Sequence, residues 1–389
     1  MKRLPAVALG LAMLAACSSG PPKAHNTLPP TIAPSPTPTP TVTLAPTPTP
    51  TASRASACSV APQSPPSGTI SANFPTALAF APDGRLFWAE RSGTVRVWQN
   101  GAAHTFARVS TVTTEPGGGY SERGLLGLAI SPTFARDRYV YAFYSSSDRV
   151  HQYVIRWTDC AGRGTHPTIL ISLPAGGDCC HKGGRIAFGP DGFLYVTLGD
   201  EHDASTAQHT SDVRGKLLRY TATGHPAPGN PFGNAVYAFG FRNPFGLAIS
   251  SSGRIAVTSN GPTGEISGVP ATGYDIVVDG VVKGGGYEWA RCYGYSHPIN
   301  GQSCGAGQHG PTWSSESSTV VPTGAWYVDG SGPSGYAGRL VFCTYNSGML
   351  ILTGDRSVRN GPSGCRLAVT QAPNHVLYYS DTSHIYRLA

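Results

Sequence analysis

Residues 181–200 read HKGGRIAFGPDGFLYVTLGD, and this stretch decides the fold. Apolar, β-branched and aromatic residues lie on both sides of a Pro-Asp-Gly turn, which is the pattern of two short antiparallel strands joined by a tight connection. His181 sits just before the first strand and Asp200 closes the second.

Working outward, the same unit recurs as ALAFAPDGRLFWAE near Leu78, LGLAISPTFARDRYVYAFY near Leu128, GLAISSSGRIAVTSN near Leu247 and RLAVTQAPNHVLYYSD near Leu367. The spacing is about 50 to 60 residues, with one double-length gap that holds GRLVFCTYNSGMLILT, so six units are expected. No segment carries a sustained helical apolar stripe. An all-β, six-bladed β-propeller over residues 58–389 follows, because each four-stranded blade buries its faces on its neighbours and the closed ring leaves no long edge. A pair of β-sandwiches would not explain the recurring strand, turn and strand. In a propeller the loops of all blades converge at one mouth, so the chemistry is expected just before and just after the repeated strands.

The N-terminus reads differently. Lys2 and Arg3 precede an apolar run from Leu4 to Ala16 that ends in Leu14-Ala15-Ala16-Cys17. This resembles a bacterial lipoprotein signal, with cleavage expected to leave Cys17 first and carrying lipid. Residues 18–57 are dominated by PSPTPTP and APTPTPT and are expected to form a disordered Thr/Pro-rich linker. Its polyproline stretches reach on the order of 100 Å if fully extended. The expected arrangement is signal 1–17, linker 18–57 and propeller 58–389, outside the cytoplasm on the outer face of the membrane or secreted. Contact with the membrane would be through the lipid alone, since no later segment approaches the roughly 20 apolar residues of a span.

Of nine cysteines, eight remain once Cys17 is assigned to lipid, and an even number in an exported chain points to disulfides. Spacing favours Cys292 with Cys304 and Cys343 with Cys365. Cys179 and Cys180 either bond to each other or each pair elsewhere. The net charge of +7 is moderate and the basic residues form no runs, which argues against nucleic acid as a partner.

His181 is the type of residue that removes a proton from a hydroxyl near neutral pH, and a carboxylate such as Asp200 can fix its tautomer and raise its basicity. A structural histidine capping a turn is the commoner case. Arg242 and Asn243, in GFRNPFGLA, offer a planar fork for a carboxylate and one donor with one acceptor for a ligand edge, or else they tie down an Asn-Pro turn. Gly261-Pro262 forms a tight loop whose carbonyls suit a hard cation, although such pairs are most often plain turns.

Together these residues resemble the soluble pyrroloquinoline quinone (PQQ)-dependent glucose and aldose sugar dehydrogenases, the glucose/sorbosone dehydrogenase family. The resemblance runs in order through PDGRLFWAERSGTVRVW, ERGLLGLAISPTF, YVYAFY, HKGGRIAFGPDGFLYVTLGD, GKLLRY, GFRNPFGLA, SNGP, GGGYEW and VVPTGAWYV. It implies a six-bladed propeller holding PQQ, a tricarboxylate, beside Ca2+. It also implies hydride transfer from the anomeric carbon of an aldose to the quinone, giving a lactone, with electrons passed to a quinone or cytochrome acceptor. By the same resemblance His181 is the general base and Asp200 its acidic support. Glu122, Arg242, Asn243, Thr319 and Arg366 stand at cofactor-binding positions, and Gly261 and Pro262 at the calcium-ligating ones.

The chain departs from the family pattern at several of these places. Glu122 replaces a glutamine, Phe241 and Phe245 replace the His and Gln of GHRNPQG, and a late lysine and a second late arginine fall near Tyr345 and Gly364. The cofactor would then depend on Lys182, Arg356 or Arg359 reaching in, since each charge-assisted hydrogen bond lost costs about 1.5–3 kcal/mol. A non-catalytic propeller that binds a glycan or protein is the alternative. A calcium-dependent lactonase fits less well, because acidic residues near the repeats are sparse.

Overall fold

The computed structural model describes residues 58–176, 179–305 and 307–388. The expected signal 1–17 and linker 18–57 lie outside them. Among the described residues, six four-stranded antiparallel sheets follow one another along the chain. Their innermost strands are Pro75–Phe80, Leu125–Ile130, Ile186–Phe188, Asn243–Ile249, Pro322–Tyr327 and Ala368–Gln371. Each packs against the innermost strand of the next sheet, and the sixth packs against the first, which closes the six-bladed ring.

The last blade is completed by the start of the domain. Its three strands Ala368–Gln371, Leu377–Ser380 and His384–Arg387 take Ile70–Ser71 as their outer partner, with Ile70 opposite Ile385. The ring thereby avoids ending on an open edge. The double-length interval holds the fifth blade, which a long insertion in the fourth sets back along the chain. The fourth blade sends a long excursion out between its third strand, Ile276–Asp279, and its outer strand, Trp313–Ser314. That excursion carries the small ribbon of Cys292–Tyr293 with His297–Pro298 and the Cys292–Cys304 disulfide.

Apolar side chains fill the spaces between blades. Phe87, Val95, Leu128, Val140 and Trp157 pack together between the first two blades, and Leu217, Phe241, Leu247 and Val257 between the third and fourth. Four disulfides are present, joining Cys58 to Cys160, Cys179 to Cys180, Cys292 to Cys304 and Cys343 to Cys365.

Four innermost strands begin with a break in register, between Pro75 and Ala77, Leu125 and Gly127, Asn243 and Gly246, and Pro322 and Ala325. Such bulges take backbone groups out of the ladder and re-aim them. Here they stand at the end of the channel where the candidate site residues gather.

Candidate active site

His181 enters the third blade in a left-handed backbone conformation, φ +56°. Its carbonyl lies so close to Gly199 that a Cβ there would stand 1.9 Å from it, so only glycine lets the end of the hairpin approach the imidazole. The close approach brings His181 Nδ1 within 2.5 Å of Asp200 Oδ1. Asp200 is fully buried and its other oxygen accepts from Trp289 Nε1 at 2.7 Å. With Nδ1 committed to the carboxylate, Nε2 is the nitrogen left to take a proton, and it has no partner among the described residues.

The ring is only 2% exposed, and burial pushes its pKa down; Asp200 opposes this and the charge of Arg242 adds to it. His202 stands edge-on against the same ring, 3.9 Å between centroids.

Glu122 organises the neighbouring backbone. One of its oxygens accepts from the backbone N–H of His181 at 2.7 Å and of Lys182 at 3.4 Å, and from Asn243 Nδ2 at 2.9 Å. Asn243 Oδ1 in turn accepts from Gly183 N–H at 3.2 Å. Three candidates distant in sequence, Glu122, His181 and Asn243, are thus brought into one hydrogen-bonded cluster.

Arg242 joins that cluster through its carbonyl, which accepts from Asp200 N–H at 2.8 Å, and its guanidinium lies 5.6 Å from the Trp289 ring centre. The guanidinium is ion-paired with Glu265 and donates to Thr263 Oγ1 at 2.6 Å. Burial works against the charge on Glu265, but Arg242 holds its carboxyl down to about 2. Gly261 and Pro262 line a cleft with Arg242 and Trp289. Asp275 anchors that loop by accepting from Gly261 N–H at 2.9 Å. The carbonyls of Gly261 and Pro262 accept no hydrogen bond among the described residues.

Two candidates stand apart from the cluster. The Thr319 carbonyl accepts from Asn346 Nδ2 at 3.1 Å, and Arg366 donates to the Tyr345 carbonyl at 2.8 Å. The cations expected to reach in do not. Lys182 is buried in an ion pair with Glu201, Arg356 lies 4.3 Å from the Tyr295 ring centre, and Arg359 donates to the Gly335 carbonyl.

A cavity of about 280 Å3 opens on the ring axis beside this cluster, lined by Glu122, Arg91, Phe245, Asn260, Thr323 and Tyr345 among others. A larger one of about 780 Å3 lies between the fourth and fifth blades, lined by Arg254, Asp279, Tyr327 and Asp329, and none of the residues of the His181 cluster lines it. Arg91, His202 and Glu265 escaped the sequence reading. Arg91 directly follows the first blade's second strand, Leu86–Glu90.

A family model described as Glucose / Sorbosone dehydrogenase matches residues 72–368. The chain belongs to the glucose/sorbosone dehydrogenase family. Quinoprotein glucose dehydrogenase B of Acinetobacter calcoaceticus is 29% identical over 262 residues, 57% of this chain and 51% of that protein. Aldose sugar dehydrogenase YliI of Escherichia coli (strain K12) is 30% identical over 206 residues, 49% of this chain and 54% of that protein. The chain spans about half the length of the curated relatives it matches.

Among solved structures, an oxidoreductase described as a glucose dehydrogenase from Thermus thermophilus is 31% identical, with TM-score 0.70 over 82% of this chain and 99% of that one. The PQQ-bound form of aldose sugar dehydrogenase from Streptomyces coelicolor is 25% identical, with TM-score 0.66 over 83% and 99%. In this glucose/sorbosone dehydrogenase family member, the matched stretch contains every candidate site residue from Glu122 to Arg366.

Proposed function

We propose that this chain is a quinoprotein aldose sugar dehydrogenase that oxidises the anomeric carbon of an aldose to a lactone, with His181 as general base. The observation that carries the reading is the buried His181–Asp200 pair, tied through Glu122 to the axial mouth cavity. The family match and the names borne by its relatives support the reaction class.

The residues present fit PQQ and calcium. The mouth cavity offers the Arg91 cation on its wall and the aromatic faces of Phe245 and Tyr345, with Arg366 bonded to the Tyr345 carbonyl at 2.8 Å. Among the described residues, Asn260 Oδ1 is buried without a hydrogen-bond partner, next to the Gly261 and Pro262 carbonyls, which accept none. Three neutral oxygens on consecutive residues are the donors a hard cation takes. Arg91 and Arg366 would hold carboxylates, Asn243 and Glu122 would frame the site, and Asn260, Gly261 and Pro262 would ligate calcium. When bound, the quinone supplies a two-electron acceptor for the hydride that leaves the anomeric carbon.

The protein's own part is proton removal. Asp200 keeps the proton of the neutral imidazole on Nδ1, so Nε2 accepts the anomeric hydroxyl proton as the C–O bond becomes a carbonyl. Burial disfavours the imidazolium, which makes His181 ready to release that proton afterwards. Trp289, bonded to the second oxygen of Asp200, keeps the carboxylate turned toward the ring.

Reconstitution of the full chain with PQQ and calcium, followed by dye reduction over a panel of aldoses, tests the reading. Turnover with at least one aldose is expected. No turnover together with no cofactor binding by calorimetry would leave a non-catalytic binding propeller instead. We also assign Cys17 as the lipidated first residue of an extracytoplasmic protein; labelled palmitate should enter the wild type and not Cys17→Ser.

A further inference from the structure

Arg185 is a buried charge, 6% exposed, that the catalytic reading leaves unused. It immediately precedes the innermost strand of the third blade, and its side chain lies across the ring axis. Nε donates to the Phe245 carbonyl at 2.9 Å, one terminal nitrogen to the carbonyls of Thr76 and Leu126, and the other to Leu367 at 3.2 Å. These acceptors come from the fourth, first, second and sixth blades. Three of them sit at the register breaks of their strands, where a backbone carbonyl is released from the ladder.

All four acceptor residues also line the mouth cavity, so the guanidinium forms the layer directly beneath its floor. Every acceptor is a neutral carbonyl. Arg85, Arg123, Lys182 and Arg242, which are also buried, each meet a carboxylate, whereas Lys216, away from the axis, is held as Arg185 is by backbone carbonyls. Burial pushes Arg185 down to about 10 with no neighbouring charge in opposition, so it remains a cation at neutral pH. Holding a buried cation without a counter-charge is unfavourable. Four carbonyl dipoles lower that cost without cancelling the charge, and one of the five guanidinium N–H groups has no acceptor among the described residues. Above it, Arg91 adds a second positive charge, and Glu122 is the one acidic side chain on the cavity wall among the described residues.

We propose that Arg185 underlies the floor of an axial anion site, where its charge draws one carboxylate of a planar polycarboxylate into the mouth cavity while its guanidinium pins four blades together. The identity of that ligand as PQQ rests on the function proposed above; the anion site itself rests on the geometry of Arg185. It places a cation on the axis where the expected late lysine and second late arginine are absent from the sequence.

Calorimetric titration of the full chain with PQQ in calcium buffer, and separately with benzene-1,3,5-tricarboxylate, tests the site. Arg185→Gln should weaken both by about 100-fold, the size expected when one partner of a buried charge pair is truncated. Arg185→Lys should weaken them less, and the trimethyl ester of PQQ should bind wild type and Arg185→Gln alike. Equal tricarboxylate affinity in wild type and a folded Arg185→Gln overturns the proposal, as does a wild type that binds neither tricarboxylate.

Should Arg185→Gln fail to fold, the Arg185 Nε–H resonance of the wild type, assigned by its loss in Arg185→Lys, decides. A saturable shift on adding the tricarboxylate supports the site, and an unmoved resonance overturns it. Binding of the redox-inert tricarboxylate without any sugar turnover would remove the dehydrogenase reading and leave the anion site. Full turnover with unchanged affinity in Arg185→Gln would do the reverse.

Discussion

In the proposed reaction the bond from His181 Nδ1 to Asp200 leaves Nε2 as the nitrogen to act, and the charges around the ring set the pH at which it would act. His181→Ala should lower turnover by about 10²–10⁴ while cofactor binding persists, which steady-state rates beside calorimetry will show. The base must be neutral, and burial moves its pKa below the ordinary 6.5, so activity should persist on the acid side of that value. Arg242 disfavours the imidazolium and Asp200 favours it. Arg242→Gln should therefore move the acid limb of kcat/KM to higher pH, and Asp200→Asn should move it to lower pH with a loss of rate. Limbs that shift together, or not at all, would mean that another group controls the profile. His181 and Asp200 were legible because they flank one hairpin, whose two ends the sequence places side by side. Arg91 and Glu265 were not, because they meet the site only once the blades have closed on it. Arg185 stood within the most informative motif, yet nothing local tells an arginine before a strand that points along the axis from one that points to solvent.

At the scale of elements, the repeated strand and Pro-Asp-Gly turn revealed the blades, since period and turn chemistry are local properties. The fourth blade's outer strand was hidden, because an insertion held by Cys292–Cys304 separates it from its sheet. The segment around Lys182 shows how a local element is held by long-range pairing. Lys182 Nζ donates to Glu201 and to the Ala175 carbonyl, and Gln152 Nε2 donates to the second Glu201 oxygen at 2.6 Å. Burial lowers the pKa of the lysine and raises that of the glutamate, so each depends on the other for its charge. Lys182→Met leaves Glu201 buried without its cation and should cost about 3–5 kcal/mol in urea denaturation. Lys182→Met with Glu201→Leu should cost much less, because the cost lies in the orphaned charge rather than in the lost attraction. A single variant as stable as the wild type would show that water already reaches the pair.

For the whole molecule, ring closure depends on a strap that precedes the first blade. Cys58 is bonded to Cys160 of the second blade, a separation of 102 residues. In the first blade, the Asp83 carbonyl accepts from Gln63 N–H, and Asn100 N–H donates to the Gln63 side-chain oxygen. Pro66 accepts from the Tyr378 hydroxyl at 2.6 Å and Ile70 pairs with Ile385, both in the sixth blade. Residues 58–71 thus run across three blades and cover the edge where the ring would otherwise open. The sequence showed the closing unit near Leu367 but not its partner, since a two-residue strand has no periodicity to read. Cross-linking over a loop of this length stabilises mainly by restricting the unfolded chain, so Cys58→Ser with Cys160→Ser should lower stability by about 2–5 kcal/mol. Deleting residues 58–71 removes the disulfide and also exposes the His384–Arg387 edge, so it should cost more than the double serine variant and leave a chain prone to edge pairing. Urea denaturation and light scattering of both variants measure this. Equal stability of the two would mean that the disulfide alone secures the ring and that the Ile70–Ser71 strand adds nothing to closure.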